Sequence, residues 1–290
     1  MVSVVKAEPM SEHPSYSKVF STFVRNSLVR DMTFRSNFII QCISSVSFTL
    51  MNVGFYLLIF NHASQIGPDT GWYKYEFFVF LATTMFVNSL VQAFFMPNAQ
   101  EFSELIRTGG LDFALLKPID TQFLISLHKI EWSSLANFLA GFVLLIVSLW
   151  NLMTRLESPL VLEPIVYVLY PLYILCGVVI LYSLMISLAA TSIWLGRNQS
   201  LYNFWFYITN FSRYPMEIYK GSFGTPLQFL FTFIVPVLVV VNVPARMLAH
   251  PFSQDRLPLA IFALVATAGS FLASRWIFRT ALLSYRSASS

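Results

Sequence analysis

Long apolar runs, each closed by a polar cluster, divide the chain into six stretches. They are Asn37–Phe60, Phe77–Met96, Trp132–Trp150, Ile165–Leu195, Leu227–Val243 and Leu257–Phe278. An α-helix needs about 20 apolar residues to cross a bilayer, so the pattern predicts six membrane-spanning helices. The fourth run exceeds one bilayer thickness, so tilt, a kink at Pro171 or an extension beyond the lipid is expected. The fifth is short and carries Pro236 in its middle. After it, Pro244–Pro258 reads as an outer re-entrant or surface-lying segment, because prolines interrupt a short apolar stretch.

Two further segments show helical periodicity outside these runs. In Tyr16–Leu28, the residues Tyr16, Val19, Phe20, Phe23, Val24 and Ser27 share one face, and Lys18 and Arg25 lie opposite. A basic helix with an aromatic face lies in the headgroup layer, so residues 16–36 are expected to form an interfacial helix. Arg30 breaks the apolar face, and a turn is expected near Val29–Met32.

The second segment is the connection 97–131. Pro97 closes the second run and Asn98 can cap a short helix, with Glu101 at the third position. Phe102, Leu105 and Ile106 form one stripe, and Glu101, Glu104 and Arg107 form another. Gly109 and Gly110 then end the helix, since glycine accepts the left-handed C-cap conformation. After Leu111-Asp112, the sequence Leu115-Leu116-Lys117-Pro118 leads into a turn, and Asp120 or Thr121 caps the approach to the third run. A half-apolar, half-charged helix on such a loop suits docking into a groove on another protein. In the fourth connection, Leu201–Phe211 reads as an aromatic anchor at the membrane surface.

Composition agrees with the pattern. Of 290 residues, 56% are hydrophobic and 11% charged, where a soluble domain carries about a quarter charged. A net charge of +4, scattered along the chain, forms no phosphate-binding stripe, so no nucleic-acid partner is expected. Met1–Ser15 lacks an apolar core and a cleavage site, so no signal peptide is expected. Cys42 and Cys176 sit inside apolar runs and read as small buried residues.

Lys and Arg set the orientation. The N-terminal segment, the second and fourth connections and the tail hold 14 of the 18, which places both termini in the cytoplasm. The fold class is therefore an all-α polytopic membrane protein, read as one domain over 1–290, with six spans and both ends inside.

The runs lack ionisable residues in their interiors, Arg275 being counted with the tail. Ion-coupled transporters, pumps and intramembrane hydrolases need such groups at depth, so these classes are disfavoured. The amides Gln41, Asn52, Asn88, Gln92, Asn137 and Asn242 look scattered and fit helix–helix hydrogen bonding. No phosphate-binding glycine loop is present, and His13, His62, His128 and His250 have no metal-ligand spacing. Asn198-Gln199-Ser200 matches a glycosylation acceptor by chance. The residues alone leave open an exporter permease driven by a partner, an ATP-independent channel or facilitator, and a membrane scaffold.

Certain motifs carry a resemblance. Gly109-Gly110-Leu111-Asp112 with Leu115-Leu116-Lys117-Pro118, Phe211-Ser212-Arg213-Tyr214-Pro215, Phe233-Ile234-Val235-Pro236 and Asn242-Val243-Pro244-Ala245 occur in order on a six-span scaffold. The chain resembles the membrane (permease) subunits of ABC-2 type ATP-binding-cassette transporters, in a bacterial subgroup of undefined substrate. The resemblance implies an exporter in the bacterial inner membrane. It implies pairing with a second permease, as a homo- or heterodimer, and with cytoplasmic ATPase subunits that bind ATP and Mg, so that this chain needs no cofactor and is no enzyme. It also implies a coupling helix at Asn98–Gly109, with Glu101, Phe102, Glu104, Leu105 and Arg107 as ATPase-docking residues and Gly109, Gly110, Asp112, Lys117 and Pro118 shaping the turn. The interfacial helix, with Phe20, Phe23, Arg25 and Arg30, would sit beside the ATPase.

Overall fold

The computed structural model describes residues 15–67, 70–156, 159–195, 199–250 and 257–285. The Asn198 sequon and the Pro251–Arg256 part of the expected re-entrant segment lie outside them. Helix α1 (Tyr16–Thr33) joins α2 (Arg35–Phe60) through Phe34, a single residue out of helical geometry. Then α3 (Lys74–Phe94) runs through Phe95 into α4 (Met96–Arg107), followed by the short α5 (Gly110–Leu115) and α6 (Thr121–Leu127). Next come α7 (Leu135–Met153), α8 (Val166–Ala190), the single turn α9 (Ser192–Leu195) and α10 (Gln199–Asn210), which ends in a 3-10 turn at Phe211–Arg213. Helix α11 (Gly224–Phe229) passes into a π turn, Leu230–Ile234, and then come α12 (Val237–Ala249) and α13 (Leu257–Ser284).

Five stretches among the described residues are long and apolar enough to cross a bilayer: Arg35–Phe60, Lys74–Arg107, Trp132–Met153, Val166–Leu195 and Leu257–Ser284. The molecule is an all-α polytopic membrane protein. Expected spans one to four and six fall on these helices. The surplus length of the fourth run becomes α9, beyond the main helix.

Side-chain contacts define two ends of the bundle. One end gathers α1, α4 to α6 and the last turns of α13, where Phe102 packs on Phe278 and Tyr16 on Phe123, with ring centroids 5.8 and 5.0 Å apart. The other end holds the turn around Gln65–Tyr73 and the pair Arg155–Glu76 at 3.4 Å.

The fifth run corrects the expectation. Leu227–Val243 is not one helix: Gly224–Ile234 and Val237–Ala249 meet at 88° across Val235-Pro236. Proline lacks the N–H that would continue the ladder, and it excludes helical geometry from the residue before it. Val235 indeed leaves the helix, at φ −114 and ψ 88. Both ends of this bent pair lie at the same end of the bundle. Gly224 abuts Tyr219; Glu217, two residues earlier, accepts the Trp72 indole N–H at 3.0 Å and pairs with Arg246, while His250 packs on Trp72 at 5.1 Å. The two ends of the pair thus come together at one end of the bundle, which fits a re-entrant element over Gly224–Ala249; of the expected segment Pro244–Pro258, residues 251–256 lie outside the described residues.

An earlier crossing through α10 would then restore an even number of passes, and α10 packs against α8 in a way that fits it. This 12-residue helix rises about 18 Å, and the 3-10 turn with the extended Tyr214 covers most of the remainder. Trp205 donates to the Leu181 carbonyl at 3.3 Å, midway along α8, and Met216 N–H donates to Asn242 Oδ1 at 2.8 Å on α12. Trp205 and Ile208 of the expected anchor Leu201–Phe211 are thus buried in the bundle, while Phe204, Phe206 and Tyr207 stay exposed. Moving Arg213 and Lys220 to the opposite end leaves 12 of the 18 basic residues with the termini, so the charge bias keeps its sign.

The core is α3, α8 and α12. Phe77, Val79, Phe80, Leu181, Leu238 and Val240 are essentially inaccessible. Helices α8 and α12 meet at Gly177, where an added Cβ would lie 2.8 Å from the Val240 carbonyl oxygen. Pro244, four residues on, cannot donate to that carbonyl, so glycine admits a backbone group that the helix itself leaves free. Helix α2 buries no residue and is held to α7 by hydrogen bonds from Thr49 to Asn137 (2.9 Å) and from Asn137 to Ser45 (2.6 Å). For Asn137 and Asn242, the helix–helix role expected of the amides is met.

Candidate functional site

The expected docking segment is stiffly built at its base. Pro97 does not end the second span; it occupies the first turn of α4, where its missing N–H costs nothing. Asn98 is no helix cap. It is buried, donates to the Phe94 and Lys129 carbonyls at 2.8 Å each, and accepts from Lys129 N–H at 3.0 Å. One amide thereby bolts the segment 128–131 to the α3–α4 junction. Glu101 faces the same way, paired with Lys129 and 3.5 Å from His128. Phe102 is fully buried against Phe278, Leu111 and Ile125.

Phe102 therefore anchors α4 and presents no docking face, while Glu101 is partly exposed and ties α4 to Lys129. Leu105 is half-buried, its tip 3.0 Å from where a Cβ on Gly110 would sit. Glu104 and Arg107 are exposed and pair with each other, Arg107 Nε reaching Glu104 at 2.9 Å. Gly109 has φ 71, the left-handed geometry that ends α4 as expected and lets α5 leave in a new direction. Asp112 is half-buried, whereas Lys117 and Pro118 are exposed.

Sequence reasoning missed two strongly exposed apolar residues of this end. Phe113 and Leu116 are 72% and 81% exposed and stand beside Lys117 at the tip. Behind them, Asp120 caps α6 by accepting Phe123 N–H at 2.9 Å, and its carboxylate accepts two bonds from Arg275. The segment is thus braced at both feet and bare at its crest.

Helix α1 lies across this end as the periodicity predicts. Val19, Phe20, Phe23, Val24 and Ser27 turn inward and Arg25 outward, with Phe23 on Phe123 at 6.5 Å. Ser27 Oγ accepts Ile130 N–H at 3.0 Å. Arg30 does not break the face, because its guanidinium donates to the Ile130 carbonyl at 2.7 Å and pairs with Asp31. A cation can occupy the inward face here because the Ile130 carbonyl and the Asp31 carboxylate meet it. The helix consequently runs to Thr33. Burial pushes the Glu131 carboxyl in the same loop up, with neighbouring Asp31 adding to the effect.

The amides that look scattered in sequence come together in space. Two cavities of about 580 and 410 Å³ share Asn88, Gln92, Phe206 and Arg213 as walls and form one groove along α3, between α2 and α10. It runs from Tyr56 and Tyr214 at the far end to Gln100 and Glu131 at the termini end.

A family model described as ABC-2 family transporter protein matches residues 46–289. The chain belongs to this family. No curated protein and no solved structure matches it. Family membership makes the chain the multi-pass membrane permease of an ABC transporter, a transport subunit that associates with ATPase subunits and the lipid bilayer. The match begins at Val46, within α2, so α1 lies outside it.

Proposed function

We propose that this permease is the membrane half of an ATP-driven exporter in a bacterial inner membrane. Its termini end faces the cytoplasm, two ATPase subunits there bind and hydrolyse ATP with Mg, and a second permease completes the path. The observation that carries the reading is the crest formed by α4 and α5: exposed Phe113 and Leu116 beside Lys117, Glu104 and Arg107, on a base locked by Asn98, Glu101 and Asp120. An exposed apolar pair ringed by charges fits a groove on a soluble partner. The stiff base supports transmission, because a push on the crest moves α3 and α13 together. Helix α1, fastened to the segment 128–132, would sit beside the same partner.

The test is co-purification of the ATPase from the native host. Phe113→Asp with Leu116→Asp should abolish it while the permease still inserts and melts as the unaltered protein does. Full recovery of ATPase with that double variant would remove the docking assignment. Glu101→Lys would not serve as a test, since a second ammonium facing Lys129 would break the base itself.

A further inference from the structure

We propose that the groove along α3 binds the anionic headgroup of an amphiphile, with Arg213 as its cation. The inference deepens the permease reading and rests on it for the word substrate; the binding itself does not.

Arg213 closes the 3-10 extension of α10, and its guanidinium lies over the Phe206 ring, 5.5 Å from the centroid. Phe206 is two turns earlier on the same pass. Helical side chains lean toward the N-terminus, so the guanidinium leans back along α10 from the turn at Tyr214. It lines both cavities of the groove.

Other arginines of the chain contrast with it. Arg155 has Glu76, Arg246 has Glu217 and Arg275 has Asp120. Among the described residues no carboxylate pairs with Arg213. Arg213 is exposed at the far mouth of the groove, where a ligand can reach its charge. The planar guanidinium fork matches phosphate and carboxylate oxygens two at a time.

The walls suit such a head. Asn88 and Gln92 supply amide donors and acceptors beside the guanidinium, and Thr49 and Asn52 line the upper part. Ser89 Oγ, on the same wall, is buried and has no hydrogen-bond partner. That oxygen is closed off from the groove itself, so the polar face there is that of Asn88, Gln92, Thr49 and Asn52. Among the described residues, the only carboxylate on the walls is Glu131, which lines the lower cavity alone and so directs an anion to the upper one. A zwitterionic head would bring a cation that no upper-wall carboxylate could meet.

The tails also find a place. The groove opens beside Phe48 and Phe206, whose rings are exposed at its apolar flank. A soluble anion would leave this apolar flank unused.

The experiment uses the full chain in a neutral maltoside detergent and reads binding from the shift in melting temperature. The probes are long-chain phosphatidic acid, phosphatidylcholine with the same tails, and inorganic phosphate. The unaltered protein should show saturable binding of phosphatidic acid only. Arg213→Gln should weaken it about tenfold or more, the worth of a charged hydrogen-bond pair, and Arg213→Lys should weaken it less. Lys220→Gln, at an exposed site away from the groove, should change nothing. If Arg213→Gln does not fold, Gln92→Leu takes its place and should also weaken binding. Unaltered binding by the groove variant that folds would overturn the site, as would equal binding of phosphatidylcholine. Equally tight binding of inorganic phosphate would overturn the amphiphile and leave a site for a free anion. Co-purification of the ATPase with Arg213→Gln separates the readings, because a retained ATPase with lost lipid binding is the result expected here. Loss of the ATPase from the unaltered protein would strike the exporter reading and leave the groove result standing.

Discussion

Arg275 and Asp120, 155 residues apart, share two hydrogen bonds, Nη1 to Oδ1 at 2.8 Å and Nη2 to Oδ2 at 2.7 Å. The pair ties the last helix to the loop behind the crest, and Asp120 also caps α6. Hydrogen bonding by Arg275 holds the Asp120 carboxyl below its ordinary range. Asp120→Ala should cost about 2 kcal/mol by removing the cap and the pair, while Asp120→Asn keeps the cap and costs less.

The pH dependence of that cost has a definite sign. A carboxyl with a lowered folded pKa contributes stability in full above its unfolded pKa and loses it as pH falls through the folded one. The gap in melting temperature between the unaltered protein and Asp120→Asn should hold steady from pH 7 to pH 5. It should shrink below about pH 4, where the unfolded carboxyl takes up its proton. A gap that closed near neutrality would mean that another group carries the effect.

Ser27 tests whether α1 is fastened or merely adjacent. Its hydroxyl is the acceptor for the Ile130 N–H, and both groups are buried. Ser27→Ala leaves that N–H without a partner, at a cost of about 1–3 kcal/mol. Hydrogen exchange at Ile130 should accelerate while α8 is unaffected; unchanged exchange would detach α1 from the coupling end.

Gly177 sets two effects against each other. Alanine favours a helix over glycine by about 1 kcal/mol, but the added methyl would sit 2.8 Å from the Val240 carbonyl oxygen and 2.9 Å from Val240 Cγ1. Overpacking costs about 1–3 kcal/mol, so it should win, and Gly177→Ala should lower the melting temperature. At Gly54 on α2 nothing lies within 4 Å of the new Cβ, so Gly54→Ala should be neutral or stabilising. Equal outcomes at the two sites would place the α8–α12 contact further apart.

What hydropathy could read here was length and bias. Five apolar runs became long helices, the face of α1 from Val19 to Ser27 turned inward, and Gly109 ended α4. What it could not read was whether a run crosses or returns. Leu227–Val243 is as apolar as a span, and only Glu217 meeting both Trp72 and Arg246 points to the return. A pass through α10 hid because Asn203 and Asn210 interrupt it and it is short. The groove escaped for a related reason: Asn88 and Gln92 are one turn apart on α3, but Arg213 joins them only once α10 is placed inside the bundle. Phe102 failed as a docking residue because an apolar stripe on a helix does not say which of two apolar surroundings it meets.

The crossing at α10 makes the last prediction. Lys220 is exposed and belongs to the end that carries Trp72 and Tyr73, not to the end that carries Lys117. In a background of Cys42→Ser and Cys176→Ala, single cysteines at 73, 117 and 220 can be offered a membrane-impermeant maleimide on intact cells. Positions 73 and 220 should react alike, and position 117 should behave oppositely until the cells are opened. The comparison needs no assumption about which end faces out, because it asks only which positions share a side. If 220 reacts with 117 instead, the segment 199–215 does not cross, Leu227–Val243 becomes a true span bent at Pro236, and Arg213 can no longer lie in a groove within the membrane.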